Sequence, residues 1–149
     1  MGVKIKIPRE KESLGESYGD IEVSSSDLKA VSVDENSLLR IINELPFIIT
    51  LCVFAEGRSV IKKADFEIFE NIKPLLENLR TLGAEIKENE NEIIIIGQKY
   101  IEGGIISGEI DSETAVYLSL AALRAKNGVL FKNIDNLIDN DMANNLRNI

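Results

Sequence analysis

The sequence predicts an α+β (α/β) fold built on a repeated βαβαββ order. Two observations carry this. First, apolar–polar alternation and helix-spaced apolar runs follow one another from Ala30 to Ile96 as strand, helix, strand, helix, strand, strand. Second, from Ile105 the order begins again as strand, helix, strand, helix, and the last two strands are missing. The 149 residues suit one domain, read as about two units. Residues 30–97 form one, and residues 104–149 together with 1–25 form the second. The N-terminal strand pair has the character of the missing pair, and an incomplete unit would leave a sheet edge uncovered.

The elements follow in order. Gly2–Ile7 alternates and reads as a strand. Pro8–Gly19 is polar and reads as a loop or hairpin connection, and Asp20–Ser24 as a strand. Ala30–Val33 is the next. From Leu45 to Ala55 there are eleven residues without a charge, too apolar for a surface helix. Pro46 suits its first turn, where a missing N–H costs nothing, and Gly57 is the expected stop. Arg58–Ile61 reads as a strand. Glu67–Leu82 places Ile68, Ile72, Leu75, Leu76 and Leu79 at helical spacing, with Gly83 as its cap. Ala84–Lys87 and Glu92–Ile96 flank a polar "ENEN" and read as a hairpin. Ile105–Ile110 is a strand, and Asp111 or Ser112 caps a helix running to about Lys126. Gly128 precedes the strand "VLFKNI", and Asn140–Ile149 reads as a short final helix.

Composition narrows the function. Hydrophobic residues make up 44% of the chain and aromatics 5%, with no Trp, so the core is built from Ile, Leu, Val and Ala. A net charge of −8 weighs against nucleic acid, whose binding draws on Lys and Arg. With no His and one Cys, an internal disulfide and any His-based triad or metal site are excluded. Cys52, inside the apolar run, reads as a small buried hydrophobe. The uncharged run is too short to span a bilayer, and the alternating N-terminus does not resemble a signal peptide. A cytoplasmic protein with no membrane partner is the expectation.

Four stretches occur in one order: "SSSDLKAVSV", "IINELPFIITLCVFAEGRSVI", "LLENLRTLGAEIKENENEIIIIG" and "EIDSETAVYLSLAAL". Together they resemble the C-terminal part of the EPSP synthase (phosphoshikimate carboxyvinyltransferase) family. The resemblance implies an enolpyruvyl transferase inside-out barrel, with helices inside and sheets outside. It also implies transfer of the enolpyruvyl group of phosphoenolpyruvate to shikimate phosphate, a step of aromatic amino acid biosynthesis, with no cofactor and no metal. Two such domains close around the substrates in that family, so a second EPSP synthase-like domain or subunit is an implied partner.

The resemblance also assigns positions. The acidic residue of the family's I-D-E-x-P, which acts on the shikimate hydroxyl, is Asn43 here, followed by Glu44. An amide has no ionisable proton near neutral pH and cannot act as a general base. The family's K-E-S-D-R stretch falls on "KKADFEIFENIKP", where neither its Lys–Glu pair nor its Arg stands in register. Asp111 matches the Asp of G-D-H-R, but Ser112 and Glu113 replace His and Arg. Glu113 puts negative charge where an anionic substrate would be held. Lys29 matches the family's Lys as a substrate-binding position. Both substrates carry phosphate and carboxylate groups and call for converging Arg and Lys side chains. The changes fall on catalytic and anion-binding positions, while core residues and turn glycines remain. The expectation is an EPSP synthase-like domain that is inactive by itself and has at most weak contact with phosphoenolpyruvate or shikimate phosphate. The alternative is a non-catalytic interaction or regulatory module on the same scaffold. In either case Glu44 and Asn43 are expected to satisfy the N-terminus of the Pro46 helix, and Asp111 to cap its own. Arg58, Lys62 and Lys63 read as the solvated basic residues of an edge strand.

Overall fold

The computed structural model of the chain describes residues 1–63 and 66–132, with the backbone alone for Glu10, Phe66 and Glu67. The final helix expected at 140–149 lies outside the described residues.

Strands β1 (Lys4–Ser13) and β2 (Glu16–Ser24) form an antiparallel ribbon. The segment expected to be a connection is its distal half. The turn sits on Leu14 and Gly15, with φ of 55° and 80°. Two consecutive positive φ values match the twist of a two-residue hairpin turn. The register shifts between Lys6 and Arg9. Pro8 lies there, and with no N–H to give it is tolerated at a bulge.

After β3 (Ser32–Val33) comes a short helix that the hydrophobic pattern did not predict, α1 (Glu35–Leu38). Its N-cap is Asp34, whose Oδ1 accepts from the Ser37 N–H at 2.7 Å. The apolar run forms α2 (Leu45–Cys52), with Pro46 in its first turn. This helix ends before the expected Gly57. Phe54 and Ala55 donate to Leu51 and Cys52 in tighter turns. The Glu56 N–H then donates to the Leu28 carbonyl, and Ala30 donates to the Glu56 carbonyl, so the chain is drawn into strand pairing instead.

Strand β4 (Arg58–Lys62), helix α3 (Phe66–Thr81) and strands β5 (Glu85–Glu88) and β6 (Glu92–Ile96) follow where the hydrophobic pattern predicts them. Gly83, at φ 95°, ends α3 with a double closure: its N–H donates to Arg80, and that of Ala84 to Leu79. The Asn89 side chain accepts from the N–H groups of Asn91 and Glu92 and shapes the hairpin tip. The four strands pair in the order β3–β4–β6–β5. β3 runs parallel to β4, and the other pairs are antiparallel. On one face Ile61 stands opposite Ile93, and Ile95 between Ser59 and Ile86, all five buried. The helices close over this face with Leu45, Ile49, Leu75, Leu76 and Leu79. Burial of such side chains stabilises by about 1.5–3 kcal/mol each.

Next come β7 (Gly104–Ile106), α4 (Ser112–Ala122) and β8 (Val129–Phe131). β7 and β8 pair in parallel, as a strand–helix–strand crossover requires. Among the described residues β1 pairs with β2 and β7 with β8, in separate two-stranded sheets. The expected union of 1–25 with 104–149 involves residues 133–149, which lie outside the described residues. No helix of the described residues is long and apolar enough to cross a membrane.

Candidate functional site

α2 and α4 pack against each other and present corresponding ends together. Asn43 and Pro46 at the start of α2, and Asp111, Glu113 and Thr114 at the start of α4, line one cavity of about 570 Å³. Ile68, Asn71, Ile72 and Leu75 of α3 form another wall, with Tyr117 beneath. Phe54, beyond the end of α2, and Arg124, beyond the end of α4, line a second cavity of about 340 Å³. The two helices therefore run in the same direction, with one cavity at each end. Two helix N-termini beside the larger cavity create a setting that favours negative charge.

The protein's own carboxylates occupy that setting. Asp111 is the N-cap of α4, as expected: its Oδ1 accepts from the Thr114 N–H at 2.8 Å and its Oδ2 from the Thr114 hydroxyl at 2.7 Å. Burial pushes the Asp111 carboxyl up, but these hydrogen bonds outweigh it and hold it below its ordinary value. Glu113 stands in the first turn, where its charge complements the helix dipole. Burial, then the charges of Glu113 and Asp111, push the Tyr117 hydroxyl up, so it stays a proton donor. No Lys or Arg lines this cavity among the described residues.

Four candidate positions meet three different fates. Asn43 and Asp111 share the larger cavity, far apart in sequence but adjacent in space. Glu44 does not line it. It is the N-cap of α2, but its side chain makes no capping bond. That corrects the expected cap. Its ψ of −8° is helical rather than extended, and Pro46, at the second helical position, offers no N–H. Lys29 lies at the opposite end, in the smaller cavity, ion-paired with Glu56. The hydrogen bond between them raises the Lys29 pKa and lowers that of Glu56. Beside them Arg124 lies over the rings of Phe54 and Tyr100, at 5.4 and 5.8 Å.

The basic cluster on β4 also needs correcting, because β4 is an interior strand and not an edge. Lys62 at its end and Lys63 just beyond it pair with glutamates of the neighbouring hairpin, Glu92 and Glu88 respectively, each at 2.6 Å. The Lys63 hydrogen bond is the main influence holding the Glu88 carboxyl low. Cys52 is fully buried, as expected, and burial pushes its thiol pKa up, away from the thiolate a nucleophile needs. The α3 wall escaped the sequence reading. Ile68, Ile72 and Leu75 were visible as an apolar helix face, but nothing in their spacing separates cavity wall from core.

These elements define an α+β module with a polar cavity at the N-termini of two parallel helices. The chain belongs to the EPSP synthase (3-phosphoshikimate 1-carboxyvinyltransferase) family, whose model matches residues 1–139. The 3-phosphoshikimate 1-carboxyvinyltransferase of Oceanobacillus iheyensis is 32% identical over 154 positions, covering 100% of this chain and 36% of that protein. The protein of that name from Caldicellulosiruptor saccharolyticus is 37% identical over 126 residues, 82% of this chain and 29% of its own. An EPSP synthase structure from Acinetobacter baumannii superposes with a TM-score of 0.71 at 25% identity, covering 91% of this chain and 32% of that one. The chain thus spans about a third of the length of the curated relatives it matches.

Proposed function

We propose that this chain is an EPSP synthase-like domain that does not catalyse enolpyruvyl transfer by itself. One observation carries the reading. The cavity that Asn43 and Asp111 share has carboxylates at Asp111 and Glu113, an amide at Asn43, and no basic side chain among its described lining residues. Phosphoenolpyruvate and shikimate phosphate are both multiply charged anions. Neighbouring carboxylates repel such ligands, and among the described lining residues no guanidinium or ammonium group offsets the repulsion. The Asn43 amide offers no general base, and Asp111 is engaged by Thr114. A cytoplasmic location belongs to the same proposal.

The test is a phosphate-release assay with both substrates, alongside NMR titration of the labelled chain. No turnover is expected, and no localised shifts at Asn43 and Asp111 at about millimolar ligand, the upper end of ordinary substrate KM values. The substitution Asn43→Asp restores one carboxylate but supplies no cation, so it too should give no turnover. Measurable phosphate release by either protein would overturn the reading. The second reading, an interaction module on the same scaffold, is favoured by the apolar surface of α2 and α4.

A further inference from the structure

Tyr117 is only 9% exposed and lines the larger cavity, yet no hydrogen bond joins its hydroxyl to a described residue. Asp111 takes its bonds from Thr114 instead. A buried hydroxyl that gives up water without gaining a partner is costly. Among the described residues every fully enclosed side-chain polar atom is partnered, so the Tyr117 oxygen opens into the cavity it lines. Burial raises its pKa first, and the charges of Glu113 and Asp111 add to that, so both carboxylates stand near this oxygen. The Phe47 ring meets Tyr117 edge-on, with centroids 4.7 Å apart, and holds the phenol in place.

The charge of the cavity has a definite sign. The two helix N-termini contribute about half a positive charge each. Asp111 and Glu113 contribute a full negative charge each, and the Thr114 bonds keep Asp111 ionised. The balance is about one negative charge, and no Lys or Arg lines the cavity among the described residues. Each Asp111 oxygen keeps a lone pair that Thr114 does not use. The amide oxygens of Asn43 and Asn71 add acceptors, and Ile68, Ile72 and Leu75 supply an apolar wall. We propose that this cavity binds a small organic cation, a primary ammonium on an apolar chain, which donates to Asp111, Glu113 and the Tyr117 oxygen and lays its chain on the α3 wall. Charge-assisted bonds to carboxylates are the strong ones, and the ammonium has three N–H groups to give. The same carboxylates that are proposed to turn away phosphoenolpyruvate hold the ammonium, so the assignment rests on that reading of the cavity's charge.

The experiment titrates the full isotope-labelled chain with hexylamine at neutral pH, and in parallel with hexanol and hexanoate, which share its chain but not its charge. Localised NMR shifts at Asn43, Asn71, Asp111 and Tyr117 are expected with hexylamine. Hexanol should bind roughly tenfold more weakly, and hexanoate should give no shifts up to about 10 mM. Glu113→Gln should weaken hexylamine roughly tenfold, and Asp111→Asn, which keeps an N-cap, by a similar factor. Tyr117→Phe keeps the ring contact and should cost roughly threefold. Circular dichroism checks that each variant folds. Glu113 is exposed, so its variant, together with the weakening of hexylamine by added salt, decides the matter even if the others do not fold. No localised shift with hexylamine, equal shifts with hexanol or hexanoate, or indifference to Glu113→Gln would overturn the proposal. Phosphate release from the enolpyruvyl substrates would overturn the inactive reading instead, so the two failures are told apart.

Discussion

The β1–β2 ribbon and the four-stranded sheet are written in similar residues and meet opposite fates. The ribbon alternates apolar and polar positions, and β6 carries isoleucine on both of its faces. In the sheet, Ile93 and Ile95 are fully buried under α2 and α3. In the ribbon, Ile5, Ile7, Ile21 and Val23 stand 57–69% exposed, although Ile5 pairs directly with Val23. Alternation thus specifies which side of a strand is apolar, and only a facing layer decides whether that side is worth anything. A two-stranded ribbon without such a layer is marginal in water.

The comparison can be broken at its strong end first. Ile95→Ala removes a buried side chain between Ser59 and Ile86. It should cost about 2–5 kcal/mol, read as a fall in the denaturant midpoint. Gly97→Ala should follow, at about 1–3 kcal/mol or more, because a Cβ there would lie 1.5 Å from the Ala55 carbonyl oxygen, a backbone atom that cannot swing aside. Asp111→Ala removes the α4 cap and should cost about 1 kcal/mol at neutral pH. The folded Asp111 pKa is depressed, so its contribution is complete above the ordinary value of 3.8 and lost as pH falls through the folded value. Melts of the two proteins should converge below that pH. The weakest effect belongs to the ribbon: Ile5→Ala should stay within about 0.5 kcal/mol in the isolated chain. A loss there as large as at Ile95 would mean that the ribbon is covered in solution.

Legibility followed the same division. The apolar body of α2, the helix face of α3 and the β5–β6 hairpin were readable because local pattern and tertiary role agree. The end of α2 was not, because pairing of Glu56 with Leu28 and Ala30 overrides Gly57 as a stop signal. The distal ribbon carries charges on both faces, and its Leu14–Gly15 turn lacks the usual Asn, so neither signal announced it. α1 offered a readable cap in Asp34 but is a single turn, too short for periodicity. For the site, resemblance picked out Asn43 and Asp111, and the fold brought them to one cavity. It placed Lys29 at the other end of the inner helices, a separation that linear spacing does not encode.

Gly97 and Gln98 sit between elements, where a chain usually varies freely in length. Here the Gly97 N–H donates to Gly57, the Gln98 N–H to Val53, and the Gln98 side chain to the carbonyl of Gly83. Three separate stretches are fastened at two consecutive residues, with one backbone passing where no side chain fits. Among descendants of this fold, added or deleted residues should therefore collect at the Asn89–Asn91 tip and spare 97–98, so that a nominal loop behaves in inheritance as part of the frame.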